Sequence, residues 1–417
     1  MTTRSSRTRS TPTGAGMVVY GVTLLVLVAS GSAPSPLYPQ YEAEWGIAPL
    51  FLTIIFASYV VGLLVSLLTA GALSDFVGRK PVILSGLTVS LISMVLFALA
   101  ASGTELLVAR VVQGFAIGLT MGALGAGMID HQPSRRPIAT LLNGITPPFG
   151  LTLGALGSGL LVQYAVAPHL LVYIVLAAAI VACAVAVAIV PESVTRRAGA
   201  LASLRPSMAI PRQSRAVFAG VVGCMLASWA IMGLYLSLGG ALLESGFGIV
   251  SPVATGGIIA ALTLSGGLTG IAINRLDARK SMIAGAFALI LGPVGTVAGL
   301  WSHSLPLFIA SSVVAGIGFG AGFQGGLRLV LTTAPPAERA GLLSSVYLVS
   351  YLAFGLPSVA AGALVTVVGV PVVAAYYAAF VAVCAIIALV LQRVMGRSRR
   401  AELRADSVDR ELEHATA

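Results

Sequence analysis

Long apolar segments separated by short polar ones follow one another along the whole chain. A helix needs about 20 mostly apolar residues to cross the hydrocarbon of a bilayer. The segments predicted to span are 17–33, 50–72, 82–101, 105–128, 138–163, 169–190, 216–242, 253–273, 281–301, 305–330, 339–365 and 371–393. The alternation of polarity that marks a transmembrane barrel is absent from them. The pattern therefore predicts an all-α membrane protein with 12 transmembrane helices.

The composition agrees with this pattern. Hydrophobic residues make up 57% of the 417 residues, charged residues make up 9%, and the mean hydropathy is +0.99. Soluble domains hold a more even balance of apolar and charged residues. The first apolar segment is longer than the apolar region of a typical signal peptide and lacks a convincing small-x-small cleavage site. It is therefore predicted to remain as the first span.

The basic residues indicate how the spans are oriented. Of the 24 Lys and Arg residues, 22 fall in the tails and in the loops on one side, including Arg135 and Arg136. The other two, Arg110 and Arg328, lie within spans. Loops rich in Lys and Arg stay on the cytoplasmic side, so both termini of a multi-pass inner (plasma) membrane protein are predicted to be cytoplasmic. The pI near 9.9 reflects this topology, and no nucleic-acid partner is predicted.

The chain contains a weak internal repeat. The segment VVQGFAIG at 111–118 matches VVAGIGFG at 313–320, and the same offset superposes Asp75 on Asp277. Internal repeats are typical of transporters that are built from two similar halves. We expect two pseudo-symmetric six-helix bundles, with a linker between them and a tail at each end. The predicted boundaries are a disordered cytoplasmic tail at 1–16, bundles at 17–190 and 216–394, a cytoplasmic linker at 191–215 and a cytoplasmic tail at 395–417.

A polar, glycine-rich loop, GALSDFVGRK at 71–80, connects the second and third spans. Asp75 and Arg79 are four residues apart, so their side chains can pair in a helical turn. Asp130 closes the fourth span on the same side of the membrane and could also pair with Arg79. The loop resembles the signature loop of the major facilitator superfamily of secondary transporters, G-x-L-x-D-x-x-G-R-K/R, at Gly71, Leu73, Asp75, Gly78, Arg79 and Lys80. A second copy, NRLDARK at 274–280, keeps the acid and the basic pair without the glycines.

The fourth span contains a second motif that resembles one of this superfamily. The motif is R-x-x-Q-G-x-x-x-G, and it is matched here by Arg110, Gln113, Gly114 and Gly118. An ionisable residue within a span is a candidate for function, which makes Arg110 and Gln113 candidates for the coupling of protons to substrate. The alternative is an arginine that reaches towards the membrane surface or binds a loop carbonyl.

The fifth span partly resembles a motif of drug:proton antiporters, G-x-x-x-G-P-x-x-G-G. Gly150 and Gly154 preserve its small-residue face, but Pro147 and Pro148 precede these glycines instead of lying among them. A close-packed, kinked helix explains the same residues equally well. For the glycines of both spans, Gly114, Gly118, Gly150 and Gly154, close helix packing is the expected role.

The resemblance implies the major facilitator fold and transport by alternating access. The loop at 71–80 would act as a conformational switch that clamps the two bundles on the cytoplasmic face, with Asp75 near the start of the eleventh helix at Pro336–Arg339. In this superfamily, spans 1, 4, 7 and 10 line the substrate cavity, with help from 2, 5, 8 and 11. The polar and aromatic candidates at mid-depth, for each of which packing is an equally good explanation, are Asn143, Trp229, Tyr235, Gln324, Tyr347 and Tyr351.

The acidic residues are informative because of where they are missing. All 14 Asp and Glu residues lie in loops, in tails or at the ends of predicted spans. Proton coupling would then use Arg110 or a peripheral acid, and Glu105 and Glu244 are the best placed for a site at the outer mouth. The alternative for both is a solvated residue at a loop end. Because an organic cation would find no deep anionic partner, we expect neutral, zwitterionic or weakly anionic amphipathic substrates.

Three functions compete on this evidence. The first is proton-coupled efflux of drugs or small amphipathic metabolites, and the second is import or facilitated diffusion of sugars or small acids by the same fold. The third, a membrane enzyme or an ATP-driven pump, is disfavoured because the two lysines, Lys80 and Lys280, lie in no phosphate-binding loop. The scattered histidines and the three cysteines within spans predict no cofactor and no metal. The expected partners are a small-molecule substrate, protons as the coupling ion and the lipid bilayer, and the chain is expected to be a monomer.

Overall fold

The computed structural model of the protein describes residues 14–133, 138–204, 208–335 and 338–416. Within these ranges the chain is helical, with four short 3-10 segments and no strand. The predicted tail up to residue 13, the basic pair Arg135 and Arg136, and Pro336 lie outside the described residues.

The described helices follow one another with short connections. They are α1 (Gly14–Ser32), α2 (Tyr38–Trp45), α3 (Pro49–Ala70), α4 (Ser74–Val77), α5 (Arg79–Leu99), α6 (Gly103–Asp130), α7 (Ile138–Tyr164), α8 (Pro168–Ile189), α9 (Arg215–Phe247), α10 (Pro252–Ala272), α11 (Ala278–Trp301), α12 (Leu305–Leu331), α13 (Arg339–Val368) and α14 (Val370–Thr416). Twelve helical segments are long and apolar enough to cross a membrane, which confirms the predicted number of spans.

Helix ends differ from the prediction where polarity changes before the helix does. The first membrane segment continues through a 3-10 turn at Ser35–Leu37 into the more polar α2 and ends at Trp45, because Pro34 and Pro36 interrupt α1 but the chain returns to a helix after them. Helix α14 runs on to Thr416, through the whole of the predicted tail. The sequence of that tail is rich in Ala, Glu, Leu and Arg, which are good helix formers.

The chain divides into two compact units. The first comprises residues 1–206 with 250–267, and the second comprises 207–249 with 268–417. In the first unit α3 packs along α6, and α1 packs along α7. In the second unit α11 packs along α12, and α9 contacts α12, α13 and α14.

Glycines allow the closest helix contacts in the first unit. A Cβ atom at Gly114 would overlap the Tyr59 carbonyl group of α3, and one at Gly118 would overlap that of Leu63. Small residues at such crossings let two backbones approach directly, which a membrane helix needs because lipid gives little hydrophobic drive.

Helix α7 contacts α1 in the same way. A Cβ at Gly150 would lie 2.9 Å from the Leu25 carbonyl oxygen, and one at Gly154 would overlap the Ala29 carbonyl. The geometry of all four glycines that the motifs single out is therefore that of helix packing.

Candidate functional site

The loop between the second and third spans, residues 71–80, forms a compact polar cluster that we call the switch loop. Helix α3 ends at Ala70, the four-residue helix α4 follows, and Gly78 separates it from α5. Asp75 and Arg79 form an ion pair, as their spacing predicts. The pair does not form within one helical turn, because Gly78 has φ 108° and ψ 152° and interrupts the helix between them.

Arg79 is the centre of this cluster. Its side chain is only 12% exposed, and besides Asp75 it donates to the Ser74 Oγ at 2.7 Å and to Asp130 Oδ2 at 3.2 Å. The structure thus brings Asp75, Arg79 and Asp130 together, although they come from the loop, from α5 and from the end of α6. A half-buried guanidinium held by two carboxylates is a strong, directional arrangement.

Glu192 completes the cluster, and sequence reasoning did not select it. Its carboxylate accepts hydrogen bonds from the backbone N–H groups of Arg79 and Lys80, both at 2.9 Å. An acid at this position satisfies the free amides at the start of α5 and is favoured by the helix dipole. The available signal was an isolated acid directly after an apolar span, but nothing in the sequence relates it to a loop 113 residues earlier.

Gly78 makes room for this carboxylate. A Cβ at Gly78 would lie 2.7 Å from Glu192 Oε2, and the positive φ disfavours any other residue in addition. The side chain of Lys80 donates to the Ala188 carbonyl at 2.8 Å, at the carboxyl end of α8, where a cation is favoured. The glycine and the lysine of the motif therefore both serve the docking of the segment that follows α8.

That segment, Pro191–Arg197, lies over the switch loop, and we call it the strap. Ser193 donates its hydroxyl proton to Asp130 Oδ2 at 2.9 Å. Arg197 donates from its backbone to the Phe76 carbonyl at 3.0 Å and from Nε to the Asp75 carbonyl at 3.1 Å. Its guanidinium also lies 4.5 Å above the Phe76 ring. The first part of the predicted linker is thus fastened to the switch loop.

Arg110 is buried inside the first unit with 1% of its surface exposed. It donates to the Tyr38 hydroxyl, to the Gly31 carbonyl at 2.8 Å and to Gln113 Oε1 at 2.8 Å. Gln113 in turn donates to the Ser30 carbonyl at 2.8 Å. The guanidinium therefore fastens α6 to the end of α1 and to the start of α2.

The environment of Arg110 holds no acid among the described residues. Its charge is instead balanced by carbonyl and hydroxyl dipoles and by three aromatic rings, those of Tyr38 at 5.5 Å and of Tyr59 and Phe97 at 5.9 Å. A ring face attracts a cation, and the attraction is stronger away from water. The buried charge is thus satisfied without a counter-ion.

The two peripheral acids lie at helix ends. Glu105 accepts from the Ala101 N–H at 2.7 Å, and its own N–H donates to the hydroxyl of the N-cap residue Ser102 at 3.4 Å. Glu244 is exposed in the last turn of α9. The contacts of Glu105 are those of a helix cap at a loop end.

Three of the six cavity candidates meet in the second unit. The Trp229 ring lies 4.7 Å from that of Tyr351, and Tyr347 lies 6.3 Å from Tyr351. Three phenylalanines that sequence reasoning missed surround the same indole at 5.5–6.1 Å. We call this group the aromatic box; its members are Trp229, Phe319, Phe323, Tyr347, Tyr351 and Phe354.

The aromatic box is partly open and carries unused polar groups. Trp229, Phe323 and Tyr347 are half-buried. The indole N–H of Trp229 and the hydroxyl of Ser350 are buried and have no partner among the described residues. Because α13 is helical, Ser350 lies on the same face as Tyr347, Tyr351 and Phe354. An unpaired buried donor is costly, and a bound molecule that accepts its proton would remove the cost.

The other candidates lie elsewhere. Tyr235 is fully buried, and its hydroxyl pairs with Thr296 at 3.0 Å and Ser312 at 2.8 Å, so it serves packing within the second unit. Six residues separate it from Trp229 on α9, which turns it to another face of the helix. Gln324 packs on Gly270 of α10, and Asn143 packs on Gly125 of α6.

The chain is similar in sequence to a known protein family. The sequence model of the Major Facilitator Superfamily matches residues 20–296 and 253–414. Multidrug resistance protein MdtL of Citrobacter koseri is 27% identical over 318 residues, which cover 74% of this chain and 78% of that protein. The protein of the same name from Escherichia coli is 34% identical over 110 residues, 26% of this chain and 28% of that protein.

Solved structures share the fold at low sequence identity. The nucleoside transporter NupG superposes with a TM-score of 0.69 at 15% identity, over 90% of this chain and 99% of that one. The POT family transporter PepTSo superposes with a TM-score of 0.71 at 14% identity, over 91% of this chain and 98% of that one.

Proposed function

The chain belongs to the Major Facilitator Superfamily and is a multi-pass inner-membrane transporter, not an enzyme, and we propose that it exports small amphipathic molecules by proton-coupled alternating access. The direction of transport is supported by the similarity to multidrug resistance proteins over most of the chain. The basic side of the protein, which includes the switch loop and the strap, is proposed to face the cytoplasm.

The observation that carries the proposed substrate class is the aromatic box. Four rings from α12 and α13 contact the Trp229 indole of α9, whose buried N–H has no partner in the described chain. Aromatic faces bind flat apolar groups, and a single donor selects molecules that carry one acceptor, such as a carbonyl. No acid takes part in the box, so a cation would be held by ring faces alone. An uncharged or zwitterionic substrate with an acceptor atom would use the free N–H as well, and we propose this class.

The switch loop supports the proposed conformational cycle. Its charged groups are fixed by interactions that join three separate parts of the first unit, so a movement of one part breaks several charge-assisted bonds together. We propose that the cluster is made in one conformation and broken in another, as a two-state transporter needs. Protons are proposed as the coupling ion, and Arg110 with Gln113 as groups that the cycle depends on.

Drug accumulation in cells tests the proposal. Cells that express the wild-type chain should accumulate less of a neutral aromatic dye than cells without it, and Asp75→Asn and Arg110→Ala should each abolish the difference while inserting normally. The matched control is Arg328→Ala, the other arginine within a span, which is half-buried and donates only to carbonyl groups. Wild-type activity in both Asp75→Asn and Arg110→Ala would contradict the roles assigned to these two residues.

Transport by the purified protein in liposomes separates the remaining alternatives. An imposed proton gradient should drive the dye against its concentration, with release of protons on substrate addition. Transport that is insensitive to the gradient would exclude proton coupling, and uptake instead of extrusion would support an importer or facilitator for sugars or small acids.

The aromatic box has its own test. Substrate should quench the fluorescence of Trp229, and Trp229→Phe should raise the KM by about tenfold, because it removes one hydrogen bond of about 1–1.5 kcal/mol and keeps the ring. Trp301→Phe is the control, since that indole is 62% exposed at the end of α11. An unchanged KM in Trp229→Phe would remove the box from the substrate site.

A further inference from the structure

His131 directly follows the last residue of α6, and its ring is enclosed. Only 6% of the residue is exposed. The ring lies against α1, where a Cβ on Gly16 would be 2.7 Å from His131 Cγ, and it meets the ring of Tyr20 edge-on at 5.3 Å. This histidine belongs to none of the motifs, and the transport proposal makes no use of it.

Both ring nitrogens of His131 contact carbonyl oxygens. Nδ1 lies 2.9 Å from the Gly127 oxygen, one turn back in α6, and Nε2 lies 3.2 Å from the Pro191 oxygen at the start of the strap. A carbonyl oxygen can only accept. A neutral imidazole has one N–H, so in either tautomer its other nitrogen would direct a lone pair at an oxygen. Only the doubly protonated imidazolium donates to both.

The charged groups around the ring favour this cation. Asp130 is its neighbour at the end of α6, and Glu192 follows Pro191 in the strap. Arg79 of α5 is already held by Asp75 and Asp130. From α1 the ring meets Gly16 and Tyr20, which add no charge. An enclosed cation that donates to two carbonyl oxygens is compensated, whereas an uncompensated one would be costly.

We infer that His131 is a proton-binding site, and that the proton it binds fastens the strap to α6. The bond from Nε2 fixes Pro191, and with it the next residue, Glu192, whose carboxylate binds the start of α5. Loss of the proton removes one of the two bonds of the ring. The bond to Pro191 is the longer, at 3.2 Å against 2.9 Å, and its loss loosens the first anchor of the strap. The protonation does not depend on the proposed function, but its consequence for transport rests on the proposed role of the switch loop.

The sign of the pH effect follows from the donors. The strap is fastened while the imidazolium is present, at low pH, and is released as the pH rises and the proton leaves. Histidine is the side chain that ordinarily changes its charge between about pH 5 and 8. The protonation of one enclosed ring therefore determines how firmly the strap is held over the switch loop.

Nuclear magnetic resonance of the full-length protein with ¹⁵N-labelled histidine rings tests the protonation directly. The chain has 4 histidines, and the His131 signals are identified by their loss in His131→Gln and by elimination with His169→Gln, His303→Gln and His414→Gln. Both His131 nitrogens should report bound protons at about pH 6, in the lower part of the range over which histidine changes charge. A ring with one protonated nitrogen at that pH would overturn the inference.

A spin label on the strap tests the fastening. Thr195 is exposed, and the three native cysteines are buried, so Thr195→Cys provides the site for the label. The mobile fraction of the label should rise at least about twofold between pH 6 and 8 and should not change with pH in the His131→Gln background. His169→Gln, whose ring pairs with Glu44 at 3.3 Å, is the control that should keep the pH response.

The two proposals fail separately. A pH-dependent label in a protein whose transport ignores proton gradients would uphold the His131 site and contradict proton coupling. A label that does not respond to pH in the presence of His131 would overturn the inference even if transport were proton-coupled.

Discussion

The loop at 71–80 and its repeat at 274–280 contain similar residues but use their acids differently. In the first loop Asp75 lies four residues before the start of α5, whereas in the second Asp277 lies directly before α11. Asp277 therefore caps its own helix and accepts from the Lys280 N–H at 2.9 Å. Asp75 caps nothing, because Glu192 performs that role for α5, and it is left to pair with Arg79.

The difference arises from two residues. The first loop reads D-x-x-G-R-K and the second D-x-R-K, so the second lacks both α4 and the glycine at positive φ. Its basic residues bind backbone instead of acids: Arg279 donates to the Gln392 carbonyl. A cluster of opposite charges thus needs an acid that does not cap a helix. Asp75 is such an acid, because Glu192 of the strap caps α5.

Among the changes that test this difference between the loops, Asp75→Asn should have the largest effect on transport. It keeps the shape of the loop but removes the charge that holds Arg79, so active transport should be lost. Transport in membrane vesicles measures this, with membrane insertion checked by immunoblot. The matched change in the other loop, Asp277→Asn, should leave transport near the wild-type level, and equal losses in both would show that the two loops do not differ in function.

Gly78→Ala should have the next largest effect. The new Cβ would clash with the Glu192 carboxylate. The alanine would also have to adopt an unfavourable φ, which costs about 1–3 kcal/mol. Thermal unfolding in detergent should show a lowered Tm, and transport should fall. Gly46 also has a positive φ, 62°, but has open space around it. Gly46→Ala should therefore show only the strain, and a Tm as low as that of Gly78→Ala would remove the Glu192 contact as a cause.

Glu192→Gln should have a smaller effect, because the amide oxygen still accepts one of the hydrogen bonds. Loss of the charge at the helix start costs about 0.3–1 kcal/mol, and the cost is reduced by salt. Transport should fall partially, and the accompanying fall in Tm should be smaller when Asp75 is already replaced, which a double-mutant cycle in thermal unfolding measures. Strictly additive effects would place the strap outside the cluster.

Asp277→Ala should have the smallest effect on transport. It removes an N-cap, which costs about 1 kcal/mol of stability. We expect a slightly lowered Tm and unchanged transport. A loss of transport without a change in Tm would assign the second loop a role beyond capping.

The sequence predicted those parts of the site that depend on local spacing. The pairing of Asp75 with Arg79 and the approach of Asp130 follow from a four-residue separation and from the side of the membrane on which each span ends. The 12 spans follow from apolar length, and the positions of the four packing glycines follow from helical periodicity.

Contacts between distant segments could not be predicted in this way. Glu192, and Tyr38 as the partner of Arg110, depend on tertiary packing that no local pattern encodes. For the cavity candidates, the sequence predicts the depth in the membrane but not the helix face. It therefore groups Trp229 with Tyr235 of the same helix, although only Trp229 joins the aromatic box. The three phenylalanines of the box resemble any other apolar residue of a span.

Arg110 has a consequence for the electrical behaviour of the protein. Its charge is balanced by dipoles and rings, and the two acids of the same helix, Glu105 and Asp130, lie at the helix ends and form no ion pair with it. A full positive charge that crosses the membrane field changes its energy by about 2.3 kcal/mol per 100 mV. A displacement of Arg110 along the membrane normal would therefore do electrical work, and in the proposed transport cycle the membrane voltage would be one of the forces that act on the protein.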